Sequence, residues 1–160
     1  MKLTGIIAAD FVNYRLPSLF LASTTCDWKC CLESGEDISV CQNAPMATAP
    51  IIEISDEDIY AAFAGNTITK AVVIGGLEPF LQFEEIDALI SYFRKMGEYC
   101  DFVIYTGYYP DEIGNSLTAL ARHGNIVVKF GRYIPHCDPI FDDVLGVTLA
   151  SPNQYAMWIS

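Results

Sequence analysis

Cys26, Cys30 and Cys41 lie close together in the chain, in Thr25-Cys26-Asp27-Trp28-Lys29-Cys30-Cys31 and Val40-Cys41-Gln42-Asn43, and Val73-Ile74-Gly75-Gly76-Leu77-Glu78-Pro79 closes a later apolar run. Three thiolates can hold an iron–sulfur cluster and leave one iron free for a substrate, whereas four would close it. The set therefore points to a working metal site. Lys29 stands beside the thiols, where it can lower their pKa and offset part of a cluster's negative charge. A zinc site on Cys26, Cys30, Cys31 and Cys41 is the first alternative, weakened because adjacent Cys30 and Cys31 rarely both point inward. Inert, buried cysteines are the second, at odds with a polar, loop-like segment. In Gly75 to Pro79 the glycines let the backbone come close to a ligand, and Glu78 can receive an ammonium group or leave a carbonyl edge free. An ordinary strand-to-helix turn is the plain alternative there.

The elements that must place these residues alternate along the chain. Ser18 to Ser23, Ala71 to Ile74, Phe102 to Tyr105 and Ile126 to Phe130 are short, β-rich and ended by turn residues, which predicts buried strands. Leu3 to Ala9 predicts a first strand. Ser55-Asp56-Glu57-Asp58 is a capping box leading into a helix through Ile59 to Ala64. Gln82 to Met96 carries apolar residues at Phe83, Ile86, Leu89, Ile90 and Phe93, and Pro110 to Arg122 starts on proline and stops before Gly124. Strands alternating with helices predict βαβ units and a mainly parallel sheet.

Ligands of such sheets bind beyond the carboxyl ends of the strands. The cysteine segment, Gly75 to Pro79, Thr106-Gly107-Tyr108 and Gly131-Arg132 each follow a strand, so four loops are expected to line one mouth. Residues 32 to 50 read as a long loop serving a ligand or a lid. Arg132 faces the expected site, where it contacts a carboxylate or forms a rim ion pair. Tyr105, Tyr108 and Tyr109 line the mouth or pack. Cys100 reads as core, His123 as a helix-end residue, and His136-Cys137 as an exposed loop.

With 160 residues, 52% hydrophobic and 18% charged, the chain can bury a large core, and a single domain over 1–160 is expected. A formal charge of −11, spread without a tail, argues against nucleic acid or anionic lipid as partners. No run of about 18 apolar residues predicts a membrane span. Asp10, Asn13 and Arg15 interrupt the first apolar stretch before any cleavage site, so it reads as a strand in preference to a signal peptide. Six cysteines without an export signal suggest reduced thiols and a cytoplasmic protein.

Taken together, these residues resemble the radical S-adenosylmethionine enzymes, and among them the activating protein of anaerobic class III ribonucleotide reductase. The resemblance runs through Asp10-Phe11-Val12-Asn13 and Ser18-Leu19-Phe20-Leu21 to Cys26-x3-Cys30 and Cys41-Gln42-Asn43. It continues through Gly75 to Pro79, Tyr105-Thr106-Gly107-Tyr108, Gly131-Arg132 and Ser151-Pro152-Asn153-Gln154. It implies an α/β fold, an open partial (β/α) barrel of about five units. It also implies a [4Fe-4S] cluster on Cys26, Cys30 and Cys41, with S-adenosylmethionine chelating the fourth iron. Gly75, Gly76 and Glu78 would hold the amino group, and Thr106 and Gly107 would approach the ribose or methionine part. Reductive cleavage would yield a 5′-deoxyadenosyl radical that installs a glycyl radical on a larger partner. A reductant such as flavodoxin or ferredoxin would supply the electron, and a small-molecule substrate is the alternative target. The chain departs from the family in two places. The usual third cysteine position is Glu33, with Cys41 eight positions further on, which makes 32–50 an inserted loop. Val40 stands where an aromatic residue is common, and Cys31 competes with Cys30 as the second ligand.

Overall fold

The computed structural model describes residues 1–160. The chain begins with β1 (Lys2–Leu3), β2 (Gly5–Asp10) and β3 (Ser18–Ala22), followed by a short helix α1 (Lys29–Ser34). Next come β4 (Ile52–Glu53), α2 (Asp56–Ala64), β5 (Ala71–Gly75), α3 (Phe83–Lys95), β6 (Asp101–Tyr105), α4 (Gly114–Leu120) and β7 (Ile126–Phe130). It finishes with β8 (Ile140–Asp142), β9 (Val147–Leu149) and β10 (Tyr155–Trp158).

Apolar runs without polar alternation require cover on both faces. The four that have it, β3, β5, β6 and β7, lie side by side and parallel, in chain order, with α2, α3 and α4 carrying the crossovers. β2 pairs antiparallel with β3 at one edge and β10 antiparallel with β7 at the other, completing a six-stranded, largely parallel sheet in an α/β fold. Two expectations change. Four parallel strands joined by three helical crossovers stand where about five units were expected. The first strand starts at Gly5 and runs antiparallel, because the Phe11-to-Pro17 connection holds no helix and only an antiparallel return is open to it. Lys2–Leu3 instead pairs with β4.

The helices form for local reasons. Ser55 Oγ accepts the Asp58 N–H at 3.1 Å, and Asp56, Glu57 and Asp58 place negative charge on the first turn of α2. In α3, Glu84 and Glu85 open and Arg94 and Lys95 close the helix, while Ile86, Leu89, Ile90 and Phe93 form its buried stripe. The expected 110–122 helix is broken. Ile113 takes φ −131° and is buried in the core, so a short turn over Pro110–Glu112 precedes α4.

Leu21, Ile74, Ile104 and Val128 point to the same side as Phe63, Ile90, Phe93 and Leu120, so all three crossover helices cover one face. The alternate residues Phe20, Val73, Val103 and Val127 face Tyr14, Leu145 and Leu149 on the other. Tyr14 donates to Asp101 Oδ2 at 2.9 Å, closing that face where the strands begin. It stays open where they end.

Gly131 follows β7 at φ +98°, and a Cβ there would lie 2.7 Å from the Asn153 carbonyl oxygen. Both the left-handed backbone and the backbone neighbour exclude a side chain. Gly131→Ala is expected to cost about 2 kcal/mol of stability, read as a lower midpoint in urea unfolding.

Candidate functional site

A cavity of ≈ 440 Å³ occupies the open end of the sheet. All eight residues singled out from the sequence line it: Cys26, Cys30, Cys41, Gly75, Gly76, Glu78, Thr106 and Gly107. They reach it from the β3–α1 loop, α1, the segment after α1, and the loops that follow β5 and β6. This is the end of a parallel sheet where ligands gather, since loops there vary without disturbing the strands.

Cys26 Sγ accepts the Trp28 N–H at 3.3 Å, and Cys30 Sγ accepts the Tyr133 N–H at 3.4 Å. Burial pushes the Cys26 thiol up to about 11 and raises Cys30 as well, so both are neutral and weakly nucleophilic as free thiols. Cys31 is buried and stands outside the cavity lining, which separates it from the other three. The four-thiol zinc set is therefore not gathered on one wall. No group of three or more His, Cys, Asp or Glu side chains converges into a metal-holding cluster. Cys26, Cys30 and Cys41 share a cavity without forming a coordination sphere.

The 32–50 segment is more ordered than a plain loop. It holds the end of α1 and short turns over Ile38–Val40 and Ala44–Thr48. Asn43 Nδ2 donates to the Gly76 carbonyl at 2.7 Å, which seats the segment against the Gly75-Gly76 turn. Gly75 O is also engaged, accepting from the Ser23 N–H at 2.8 Å and its hydroxyl at 2.9 Å.

Glu78 has partners within the chain that the sequence did not announce. Its carboxylate is buried and accepts from Thr106 Oγ1 at 2.7 Å, Gly107 N–H at 2.9 Å and Phe80 N–H at 3.1 Å. It ties the loop after β5 to the loop after β6. Burial raises its pKa even though all three donors favour the ionised form.

Sequence reasoning missed Lys129. Its side chain is buried on β7, lines the cavity, and donates to the Gly131 carbonyl at 3.1 Å, with no carboxylate within ion-pair distance. Burial lowers its pKa to about 8 from 10.5. The signal was present: in a strand covered on both faces, a lysine within Ile126-Val127-Val128-Lys129-Phe130 has no solvent side to turn to. Between pH 8 and 10.5 the unfolded chain binds the proton that the folded one has released, so this group's contribution to stability rises with pH. Lys129→Met is expected to stabilise the ligand-free protein by about 1–2 kcal/mol below pH 8, an advantage that closes toward pH 10.5 in denaturant unfolding.

Arg132 is buried beneath the mouth. It pairs with Glu33 through Nε to Oε2 at 3.0 Å and Nη2 to Oε1 at 2.9 Å, and with Glu112 Oε1 at 2.7 Å. Its hydrogen bond brings the Glu112 carboxyl down to about 2. Lys29 reaches the same Glu112 oxygen at 3.1 Å and lies 4.5 Å from the Tyr108 ring centre, while the Tyr108 hydroxyl donates to Asp27 at 2.7 Å. Of the two roles expected for Arg132, the ion pair is the one seen. Cys100 and Cys137 lie outside the cavity lining, as does His123, which sits 2.7 Å from Asp87. The chain matches no protein-family model, no curated protein and no solved structure.

Proposed function

We propose that this protein is a radical S-adenosylmethionine enzyme of the glycyl-radical activating type, built on an open partial (β/α) barrel. The observation that carries this is the meeting of Cys26, Cys30 and Cys41 with the Gly75 to Glu78 turn and the Thr106-Gly107 turn on one cavity. The strand order without reversal and the confinement of α2, α3 and α4 to one face support the partial barrel, whose inner face would be the cavity side.

The donor chemistry fits a [4Fe-4S] cluster: three soft sulfur donors lining one cavity, with Lys129 and Arg132 supplying positive charge nearby. Cys26, Cys30 and Cys41 would hold it. When bound, the reduced cluster and S-adenosylmethionine supply a hydrogen-abstracting 5′-deoxyadenosyl radical. The chain's own part is to bind and to orient. Glu78 fixes the Thr106 hydroxyl and the Gly107 amide, so the two turns that would flank the cofactor move as one. Lys129 offers the cavity a buried cation for an anionic group, and Phe20 and Leu149 keep part of the wall dry.

A macromolecular target is favoured by exposed apolar residues along the cavity lining, where Ile7 and Val12 are 50% and 72% exposed, with Phe11, next to Val12 in the chain, 63% exposed. Apolar side chains at an open mouth suit a docking polypeptide better than a small polar substrate. Reduction of the anaerobically reconstituted protein is expected to release 5′-deoxyadenosine from S-adenosylmethionine, in greater yield when a glycyl-radical protein is added. Protein that binds neither iron nor S-adenosylmethionine would end this proposal.

A further inference from the structure

We propose that Arg132 is a positioning residue for the Cys30 sulfur and that it acts through Glu33. The position matters to catalysis only through the proposed cluster, but the grip itself belongs to the metal-free chain. Helix α1 has six residues, starts from Trp28 at φ 61° and ends at Gly35 at φ 71°, with no side-chain cap at its start. A helix this short has almost no stability of its own. Something outside must fix its rotation.

Glu33 supplies the handle. It lies three residues after Cys30, so the two side chains share one face of α1. The Arg132 fork takes both Glu33 oxygens, at 3.0 and 2.9 Å, and the rings of Tyr108 and Tyr109 flank the guanidinium at 5.5 and 5.3 Å. The same guanidinium donates to the Gly107 carbonyl. These are the contacts that define the slot of the sulfur. On one side a Cβ at Gly107 would come within 3.1 Å of Cys30 Sγ, and on the other the Tyr133 amide donates to it. Arg132 thus holds the helix that carries the sulfur, one wall directly, and the other wall as its chain neighbour. A planar fork with several donors is required to reach all of these at once, which a lysine cannot do. The slot also distinguishes Cys30 from Cys31, which lies outside the cavity.

The test uses reduced, metal-free protein alkylated with iodoacetamide, with each cysteine followed by peptide mass spectrometry. Arg132→Gln is expected to speed Cys30 alkylation about tenfold as α1 opens locally, with Cys26 and Cys100 within about twofold of the parent. Glu33→Gln, at a half-exposed position, is expected to move Cys30 in the same direction by about threefold, and Arg132→Lys to fall between parent and Arg132→Gln. If Arg132→Gln does not fold, Glu33→Gln decides alone. Unchanged Cys30 alkylation in Glu33→Gln overturns the proposal, and so does an equal acceleration of every cysteine, which would mark a fold-wide role. In reconstituted protein, Glu33→Gln is expected to broaden the electron paramagnetic resonance signal of the reduced cluster. A parent protein that takes up no cluster counts against the proposed function, whereas the alkylation rates still decide the role of Arg132.

Discussion

Cys26→Ala, Cys30→Ala and Cys41→Ala are each expected to lose the iron–sulfur absorbance after anaerobic reconstitution, and Cys31→Ala to keep it. Cys26 and Cys30 already share the cavity with Cys41, whereas Cys31 is buried and outside its lining. In the proposed site, removing one of the three thiols would leave an iron of the cluster without a protein sulfur. Release of 5′-deoxyadenosine should fall by more than about a hundredfold, beyond the roughly 10- to 100-fold that loss of an outer partner of a metal site brings. Cys41→Ala is the decisive member of the set. Full iron content in that variant would overturn Cys41 as the proposed third ligand.

Arg94→Ala is expected to be the most damaging single change to the fold, by about 4 kcal/mol. The guanidinium donates to four carbonyls: His123 at 2.9 Å, Glu98 at 2.8 Å, Cys100 at 3.1 Å and Gly124 at 2.7 Å. It also lies 5.2 Å from the Phe102 ring centre and 5.5 Å from that of Tyr99. Glu98 and Cys100 lie between α3 and β6, and His123 and Gly124 between α4 and β7, so one side chain joins two connections. Alanine leaves all four carbonyls short of a donor. With a urea dependence of about 2 kcal/mol per molar, the unfolding midpoint should drop by about 2 M. Arg94→Lys should recover less than half, because a point charge cannot span the four positions. A midpoint shift under about 0.5 M for Arg94→Ala would show that water satisfies these carbonyls as well as the guanidinium does.

The parts of this fold that can be read from sequence are those where one local pattern decides the outcome. β3, β5, β6 and β7 are uninterrupted apolar runs, and α3 repeats its apolar residues at helical spacing, so each is legible to within a residue or two. β8, β9 and β10 span three or four residues each, too short for an alternating pattern to emerge from the sequence. α1 is hidden for the same reason. The site is legible as far as its position in the topology: glycines and cysteines after strands have to collect at one end. What escapes is side-chain partnership across long separations. Glu78 holds Thr106 and Gly107, and Arg132 grips Glu33 ninety-nine residues away, links that no local spacing encodes. Arg94 reads as an ordinary cation on the last turn of a helix, with nothing to announce its four acceptors.

Lys129 gives the ligand-free protein an unbalanced interior charge, set in the wall where a negatively charged guest would sit. Occupancy and durability should therefore rise together, because any anion that settles there also relieves a strain the apoprotein carries alone. Such a chain is at its most fragile before loading and toughens as it fills. Heat or protease would then sort loaded molecules from unloaded ones without any assay of turnover.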